Sequence, residues 1–373
     1  NSWGFDKASL EDRVEWTDDN EDMIMRVGID PLASREWMEA DKPWQFLRSC
    51  FEYVCCNNNE DYVSHLPVTV DGSCNGLQHF SAMLRDDIGG AATNLINHEQ
   101  PEDIYEIVRR EAENGMVLDN NPEFNIWGSG GCLSRALVKR PVMTTPYGAT
   151  LYGMRDQIHE ELKKQLDKGV VFPGIDSSSD MWPHCKYLAF HIYEAIGRVV
   201  ISSRLGMKWL QDVAKASNKL KRPIYWTLPT GFVVKQKYIR SIVKEIKTII
   251  NGRMASLFAG SSDAEKMHSF RQVNGIAPNF VHSLDACHLM KTIVSARDNH
   301  GIESYAVVHD SFGTHACDIE QLGTVLRETF VEIYKKDILK KFMEEQGDLE
   351  LPSLPEYGKL NIEDVKNAEF FFS

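Results

Sequence analysis

The sequence predicts an α+β fold, mostly helical around a small antiparallel sheet. Two apolar, β-prone runs that each close on an aspartate carry that prediction: Leu66-Pro-Val-Thr-Val-Asp71 and Tyr305-Ala-Val-Val-His309-Asp310. Between them apolar residues recur mainly at helical spacing, and strand-like runs are few.

Along the chain, Asn57 to Asp61 reads as a loop before the first strand. After Asp71 the pattern turns helical through Leu77, Phe80, Met83 and Leu84, with a break expected at Gly89-Gly90. Pro101-Glu-Asp reads as a helix start, with an early proline and acids in the first turn, continuing through Tyr105 and Val108. Residues 132–145 are apolar and basic by turns and stop near Pro146-Tyr147-Gly148. The runs around Leu228-Pro-Thr-Gly231 predict a hairpin. Asn251-Gly252, which favours positive φ, predicts a second hairpin tip near 246–258. Pro278 is expected to start a helix reaching about Asn299, with Gly301 as its stop and a strand at 304–309 after it.

At 373 residues the chain is long enough for a large core. No apolar run approaches the roughly 18 to 20 residues of a membrane span, and the first ten residues lack the shape of a signal peptide. No membrane association is expected. The eight cysteines form neither a CxxC pair nor a Cys/His zinc spacing, so reduced thiols are expected. A net charge of −13 opposes simple nucleic-acid binding, yet it is uneven. Acids crowd residues 11–30 and the tail after Glu344, where a solvated face is expected, while residues 208–253 are rich in lysine and arginine. A cationic groove is compatible with a repelling outer surface.

A lone aspartate after a strand is ordinarily a turn residue. Two of them, each before a small residue, point further. Side by side and buried, two carboxylates repel and one takes a proton, unless magnesium ions about 3.5 to 4 Å apart stabilise both. Arg135 and Lys139 lie four apart, on one helical face, with Arg140 beside them. Such a face is often merely solvated, but the apolar neighbours Leu137, Val138 and Val142 suggest a half-packed helix with its basic side toward an anion. Carboxylates that hold magnesium, with a guanidinium and an ammonium for phosphate, are what nucleotidyl transfer needs. Tyr147-Gly148 is equally a helix C-cap with a packed aromatic, and His282 equally a core histidine.

In this order these residues resemble the single-subunit, bacteriophage-type RNA polymerases, relatives of the family A DNA polymerases. The segments that carry the resemblance are Asp71-Gly-Ser-Cys-Asn-Gly76-Leu-Gln-His-Phe-Ser-Ala-Met-Leu-Arg85, Arg135 through Lys139 to Tyr147-Gly148, Gly275-Ile-Ala-Pro-Asn-Phe-Val-His282-Ser, and His309-Asp310-Ser311-Phe-Gly-Thr314. It extends over the whole chain. The resemblance implies a right-hand polymerase palm and fingers: palm in 1–131 and 273–373, fingers in 132–272. It implies Asp71 and Asp310 as ligands of two Mg2+ ions, with the Gly72 carbonyl as a further ligand. Lys139 would protonate the leaving pyrophosphate, and Arg135 and Arg140 would hold the triphosphate. Lys7 and Tyr105 would lie near the incoming nucleotide, and Tyr147, with Gly148 beside it and His282, would test its ribose. Gly76 stands where the related DNA polymerases place a bulky glutamate that blocks a 2′-hydroxyl, so ribonucleotides are expected.

The implied activity is DNA-directed RNA synthesis from ribonucleoside triphosphates, with a DNA template and an RNA product as partners. A family A DNA polymerase and a non-catalytic nucleic-acid-binding subunit are the alternatives, which Gly76 with Ser311 and the intact motif residues respectively disfavour. Two departures stand out. Family enzymes are much longer, so a fragment is expected, or one part of a split enzyme whose second polypeptide supplies the thumb and N-terminal region. The hairpin near 246–258, where the family reads promoter DNA, is largely apolar here, with Lys247 and Arg253 as remaining DNA contacts. The resemblance implies the cytoplasm of an infected bacterial host. The Phe370-Phe-Phe-Ser373 tail resembles the family's aromatic C-terminus, placed near the active site.

Overall fold

Strand β1 (Val68–Asp71) is followed after three residues by helix α4 (Asn75–Leu84), and both are held by elements from the far end of the chain. The computed structural model describes residues 1–5, 8–59, 61–176 and 178–372, and only the backbone of Leu10 and of 261–265. Lys7 and Ser373 lie outside the described residues.

Helices α1 (Leu10–Asp19), α2 (Glu21–Ile29) and α3 (Pro43–Asn58) precede β1 and pack around Val27, Phe46, Leu47 and Cys50. After α4 come α5 (Asp87–Ala92), α6 (Ile104–Asp119), α7 (Arg135–Thr144), α8 (Leu151–Asp167), α9 (Trp182–Val199) and α10 (Ile201–Lys219). Two hairpins follow, β2 (Ile224–Thr227) with β3 (Val233–Gln236), and β4 (Ile239–Ile250) with β5 (Arg253–Met267). The chain continues through α11 (Ser269–His300), β6 (Ala306–Val308), β7 (Ser311–Thr314), α12 (Ile319–Tyr334) and α13 (Ile338–Glu345). Helices with small antiparallel sheets are the α+β fold that the sequence predicts.

The sheet that matters for the site is three-stranded and antiparallel, in the order β1-β7-β6. Its register sets Asp71 opposite Ser311 and Val68 opposite Thr314. One hydrophobic core joins α4, α10, β2, α11, β7, α12 and α13 with the C-terminal aromatics Phe371 and Phe372. A second gathers α6 through α9 around Trp127, Leu137, Met154 and Leu188. Helix α6, expected with the first palm segment, thus packs with the α7–α9 group, whereas α10 and the β2–β3 hairpin pack with α4 and α11.

Several boundaries differ from expectation for identifiable reasons. Helix α4 ends at Arg85, in left-handed backbone at φ 57°, not at Gly89-Gly90. There the backbone N–H groups of Gly358 and Leu360 bond to the carbonyls of Leu84 and Arg85, and Gly89-Gly90 lie inside α5. Helix α6 starts at Ile104, after Pro101, because the Asp103 carboxylate caps the N–H groups of Tyr105 and Glu106. Asn57 belongs to α3. Helix α11 starts at Ser269, nine residues before Pro278, which therefore sits inside it. The Asn251-Gly252 turn has both φ angles positive, 51° and 73°, as a type I′ turn requires. Its strands run far beyond 246–258, across 239–267.

Candidate active site

Asp71 and Asp310 meet through the sheet. Asp71 closes β1, and Asp310 lies in the two-residue loop between β6 and β7, whose ends pair Val308 with Ser311. The Gly72 N–H donates to the Asp310 carbonyl at 3.2 Å, tying the two loops together. The first loop residue, His309, is held at φ 54°, in a region that side-chain-bearing residues seldom occupy. Cys74, three residues after Asp71, is likewise left-handed at φ 62°. Strained backbone thus flanks both aspartates, as is common where a loop must aim a functional group. The C-terminal tail closes the back: Phe372 bridges Gly72, the Ser73 hydroxyl donates to the Phe370 carbonyl, and Gln78 donates to the Phe371 carbonyl.

Both aspartates line one cleft of about 600 Å3, together with Gly72, Gly76, Tyr105, Arg135, Lys139 and Tyr147. Burial lifts the Asp310 carboxyl above the usual carboxylate range, and the nearby charge of Asp71 adds to the rise. That mutual repulsion, in a cleft otherwise furnished with cations, is a donor set suited to a divalent metal. Among the described residues no cluster of three or more His, Cys, Asp or Glu offers a complete metal cage. Other oxygens, such as those of a phosphate, would have to complete the coordination.

Helix α7 supplies the cationic wall. Leu137, Val138, Pro141 and Val142 are buried, which leaves Arg135, Lys139 and Met143 on the cleft face. The Arg135 guanidinium pairs with Asp103, the cap of α6, and lies 5.0 Å from the centre of the Tyr105 ring. The Lys139 Nζ lies 5.9 Å from the same ring and forms no ion pair among the described residues. Arg140, one residue on, projects away from this face, lies outside the cleft lining, and pairs with the exposed Glu160 of α8.

Past α7, the tight turn Thr145–Tyr147 ends on Gly148 at φ 83°, a conformation that favours glycine. A Cβ on Gly148 would come within 3.5 Å of the Asn274 carbonyl, which the Pro278 ring leaves without its helical N–H donor. The Tyr147 ring stacks on His282 with centroids 4.4 Å apart and planes 9° apart. His282 is solvent-exposed and not a core histidine. The partial covering of its ring, with the charge of His309, lowers its pKa against the opposing pull of Asp310. Tyr147 also meets Gly76, where an added Cβ would lie 2.7 Å from Pro146 Cγ and 3.0 Å from Tyr147 Cζ. Lys247 and Arg253 lie on the β4–β5 hairpin, outside the cleft lining.

The family described as DNA-dependent RNA polymerase matches residues 1–348. The chain belongs to that family. T7 RNA polymerase of Escherichia phage T7 is 34% identical over 426 residues, covering 100% of this chain and 47% of the relative. The DNA-directed RNA polymerase of Enterobacteria phage T3 is 33% identical over 430 residues, covering 100% and 47%. DNA-directed RNA polymerase 2B, chloroplastic/mitochondrial, of Nicotiana tabacum is 36% identical over 386 residues, covering 99% and 36%. The chain therefore spans less than half the length of these polymerases. No helix among its described residues is long and apolar enough to cross a membrane.

The far end of the cleft carries residues that sequence reasoning passed over. Lys42, the N-cap of α3, and Gln45, Arg48 and Ser49 within that helix line it. Their spacing on a helix with Pro43 in its first turn was a readable signal. Neither Lys42 nor Arg48 forms an ion pair among the described residues, and the next acid on that helix, Glu52, accepts instead from the Tyr62 hydroxyl.

Proposed function

We propose that the chain is the catalytic portion of a DNA-directed RNA polymerase, which adds ribonucleotides to an RNA 3′ end on a DNA template. The observation that carries this is the convergence, in one cleft, of Asp71 and Asp310 with Arg135, Lys139 and Tyr147. Two Mg2+ ions would be held by Asp71, Asp310 and the Gly72 carbonyl. Bound there, they would supply positive charge to the attacking 3′-oxygen and to the phosphate oxygens.

The protein's own groups then have distinct tasks. In the transfer, the RNA 3′-hydroxyl gives its proton to solvent as its oxygen bonds to the α-phosphorus, the bond from that phosphorus to the bridging oxygen breaks, and Lys139 delivers a proton to the departing pyrophosphate. Arg135, braced by Asp103 and Tyr105, holds phosphate oxygens. The exposed Arg140 reaches the triphosphate only if it leaves Glu160. Tyr147, set by Gly148 and His282, covers the nucleotide, and the missing side chain at Gly76 leaves room for the ribose. Lys7 is assigned to the same nucleotide on motif position alone. Lys42 and Arg48 offer charges to the phosphodiester backbone of a bound strand.

The group containing α4, α11 and the β1-β7-β6 sheet corresponds to the palm, and the group of α6 to α9 to the fingers. A second polypeptide supplying thumb and N-terminal region accords with coverage of 36 to 47% of the relatives. The exposed apolar ribbon at β4–β5 would contact DNA through Lys247 and Arg253. Extension of an RNA primer annealed to a DNA template, with and without magnesium, tests the proposal. Ribonucleotide addition that needs the metal supports it, and no addition under any metal, with copurifying polypeptides present, contradicts it.

A further inference from the structure

We infer that a buried hydrogen bond between Asn75 and Asp285 is the positioning contact that sets this site's preference for ribose over deoxyribose. The inference rests on the polymerase function proposed above and concerns residues to which no role has been given.

The Asn75 Nδ2 donates to the Asp285 Oδ1 at 2.6 Å, joining residues 210 positions apart in sequence. Asn75 is 3% exposed and Asp285 6% exposed. Asn75 immediately precedes Gly76, and Asp285 lies one helical turn after His282 on α11. Tyr147 touches both of those neighbours: its ring stacks on His282, and Gly76 approaches it too closely to accept a Cβ. Three contacts and two short stretches of chain close a ring, from Gly76 through Asn75 and Asp285 to His282, then through Tyr147 back to Gly76.

Within that ring the Asn75–Asp285 bond is the link that is buried and polar, and so the one least replaceable by a shift of packing. It is the single side-chain hydrogen bond of Asp285 among the described residues. The Nε2 of His79 lies 4.0 Å from Asp285, and the charges of Asp310 and His309 also act on that carboxyl. Burial keeps His79 neutral, and its Nδ1 is engaged by the Tyr334 hydroxyl at 2.5 Å. Without the Asn75 donor, a carboxyl in this interior has no partner to hold α11 against the start of α4. Tyr147 then loses a fixed distance to either Gly76 or His282, and a 2′-hydroxyl is no longer read at a defined place.

A contact that merely supports the fold would, when cut, lower addition of both kinds of nucleotide alike. The test therefore compares kcat/KM for ribo- and deoxyribonucleotide addition to an RNA–DNA hybrid, using the chain with any polypeptide that copurifies. Asn75→Ala and Asp285→Ala are each expected to lower the ribo-to-deoxyribo ratio by about tenfold, the order that follows from one broken buried hydrogen bond. The double variant should fall no further, because the two residues act through one bond. Asp285→Asn should keep the ratio, since its carboxamide oxygen still accepts from Asn75. Should Asp285→Ala not fold, Asn75→Ala and Asn75→Ser, followed by thermal unfolding, carry the same comparison. Equal losses for both sugars, or additive losses in the double variant, overturn the inference. A wild-type chain that adds neither nucleotide overturns the proposed function first, and this inference with it.

Discussion

Tyr147 lies flat against His282, 4.4 Å between ring centroids, and the hydroxyl end of its ring is close to the bare backbone of Gly76. The glycine thus has two reasons to be a glycine. In the proposed function it leaves room for the sugar, and in the structure it admits Pro146 and Tyr147 to within what would be 2.7 to 3.0 Å of a Cβ. Even Gly76→Ala should therefore displace Tyr147, at about 1 to 3 kcal/mol for an overpacked site. Ribonucleotide addition should fall by about tenfold to a hundredfold through misplacement alone, and Gly76→Glu should fall further. Alanine at wild-type rates in a primer-extension assay would contradict the packing argument.

Lys42, at the N-cap of α3, and Arg48, within it, stand at the far end of the cleft without an acidic partner among the described residues. If they grip phosphates, replacing both by alanine should flatten the plot of log affinity against log salt by about 1 to 2 units for an RNA–DNA hybrid, with little dependence on sequence. Fluorescence anisotropy over a salt series reads this directly. An unchanged slope would place the strand elsewhere.

Burial moves the Asp285 carboxyl from 3.8 up to about 6, the Asn75 hydrogen bond opposing the rise and Asp310 adding to it. Its raised folded-state pKa means that the native protein holds a proton the unfolded chain gives up. The associated stability is full below about pH 4 and is lost as pH climbs through about 6. Asp285→Asn has no such loss. In a chelating buffer the stability of that variant relative to wild type should rise by about 1 kcal/mol between pH 5 and pH 8. Urea unfolding at the two pH values decides, and a constant difference would refute the assignment.

Among the described residues the β4–β5 ribbon contributes nothing to the hydrophobic cores, and Ile249, Met254 and Phe258 on it are 68%, 77% and 71% exposed. Replacing residues 242–259 with a short turn should leave thermal stability and extension of a preassembled hybrid within about twofold, because it removes no buried apolar surface. Loss of start-site selection on duplex DNA would then assign the ribbon to DNA or partner contact. A collapse of hybrid extension would instead make it part of the catalytic core.

Much of the candidate site is legible in the sequence because its chemistry sits on local patterns. An aspartate closing a β-run, Arg135 and Lys139 one turn apart, and Asn-Gly between β-prone residues each declare themselves within a few positions. What escapes is settled by partners far along the chain. Leu84 and Arg85 end α4 because Gly358 and Leu360 take their carbonyls. Pro278 reads as a helix start, yet it stands inside α11, where the carbonyl it frees at Asn274 faces Gly148. Arg140 looks equivalent to Arg135 in sequence, and only the packing of α7 on α8 turns it toward Glu160. The Asn75–Asp285 bond spans 210 residues and leaves no local trace.

The measurement that bears most directly on the central claim is extension of an RNA primer on a DNA template by the wild-type chain and by Asp310→Asn, with magnesium and ribonucleoside triphosphates. Asparagine keeps the Asp310 backbone carbonyl that accepts from Gly72, so the loop should hold its shape while a metal-binding charge is lost. The account predicts ribonucleotide addition by the wild type and its abolition in a variant that remains folded. Undiminished addition by Asp310→Asn would contradict it.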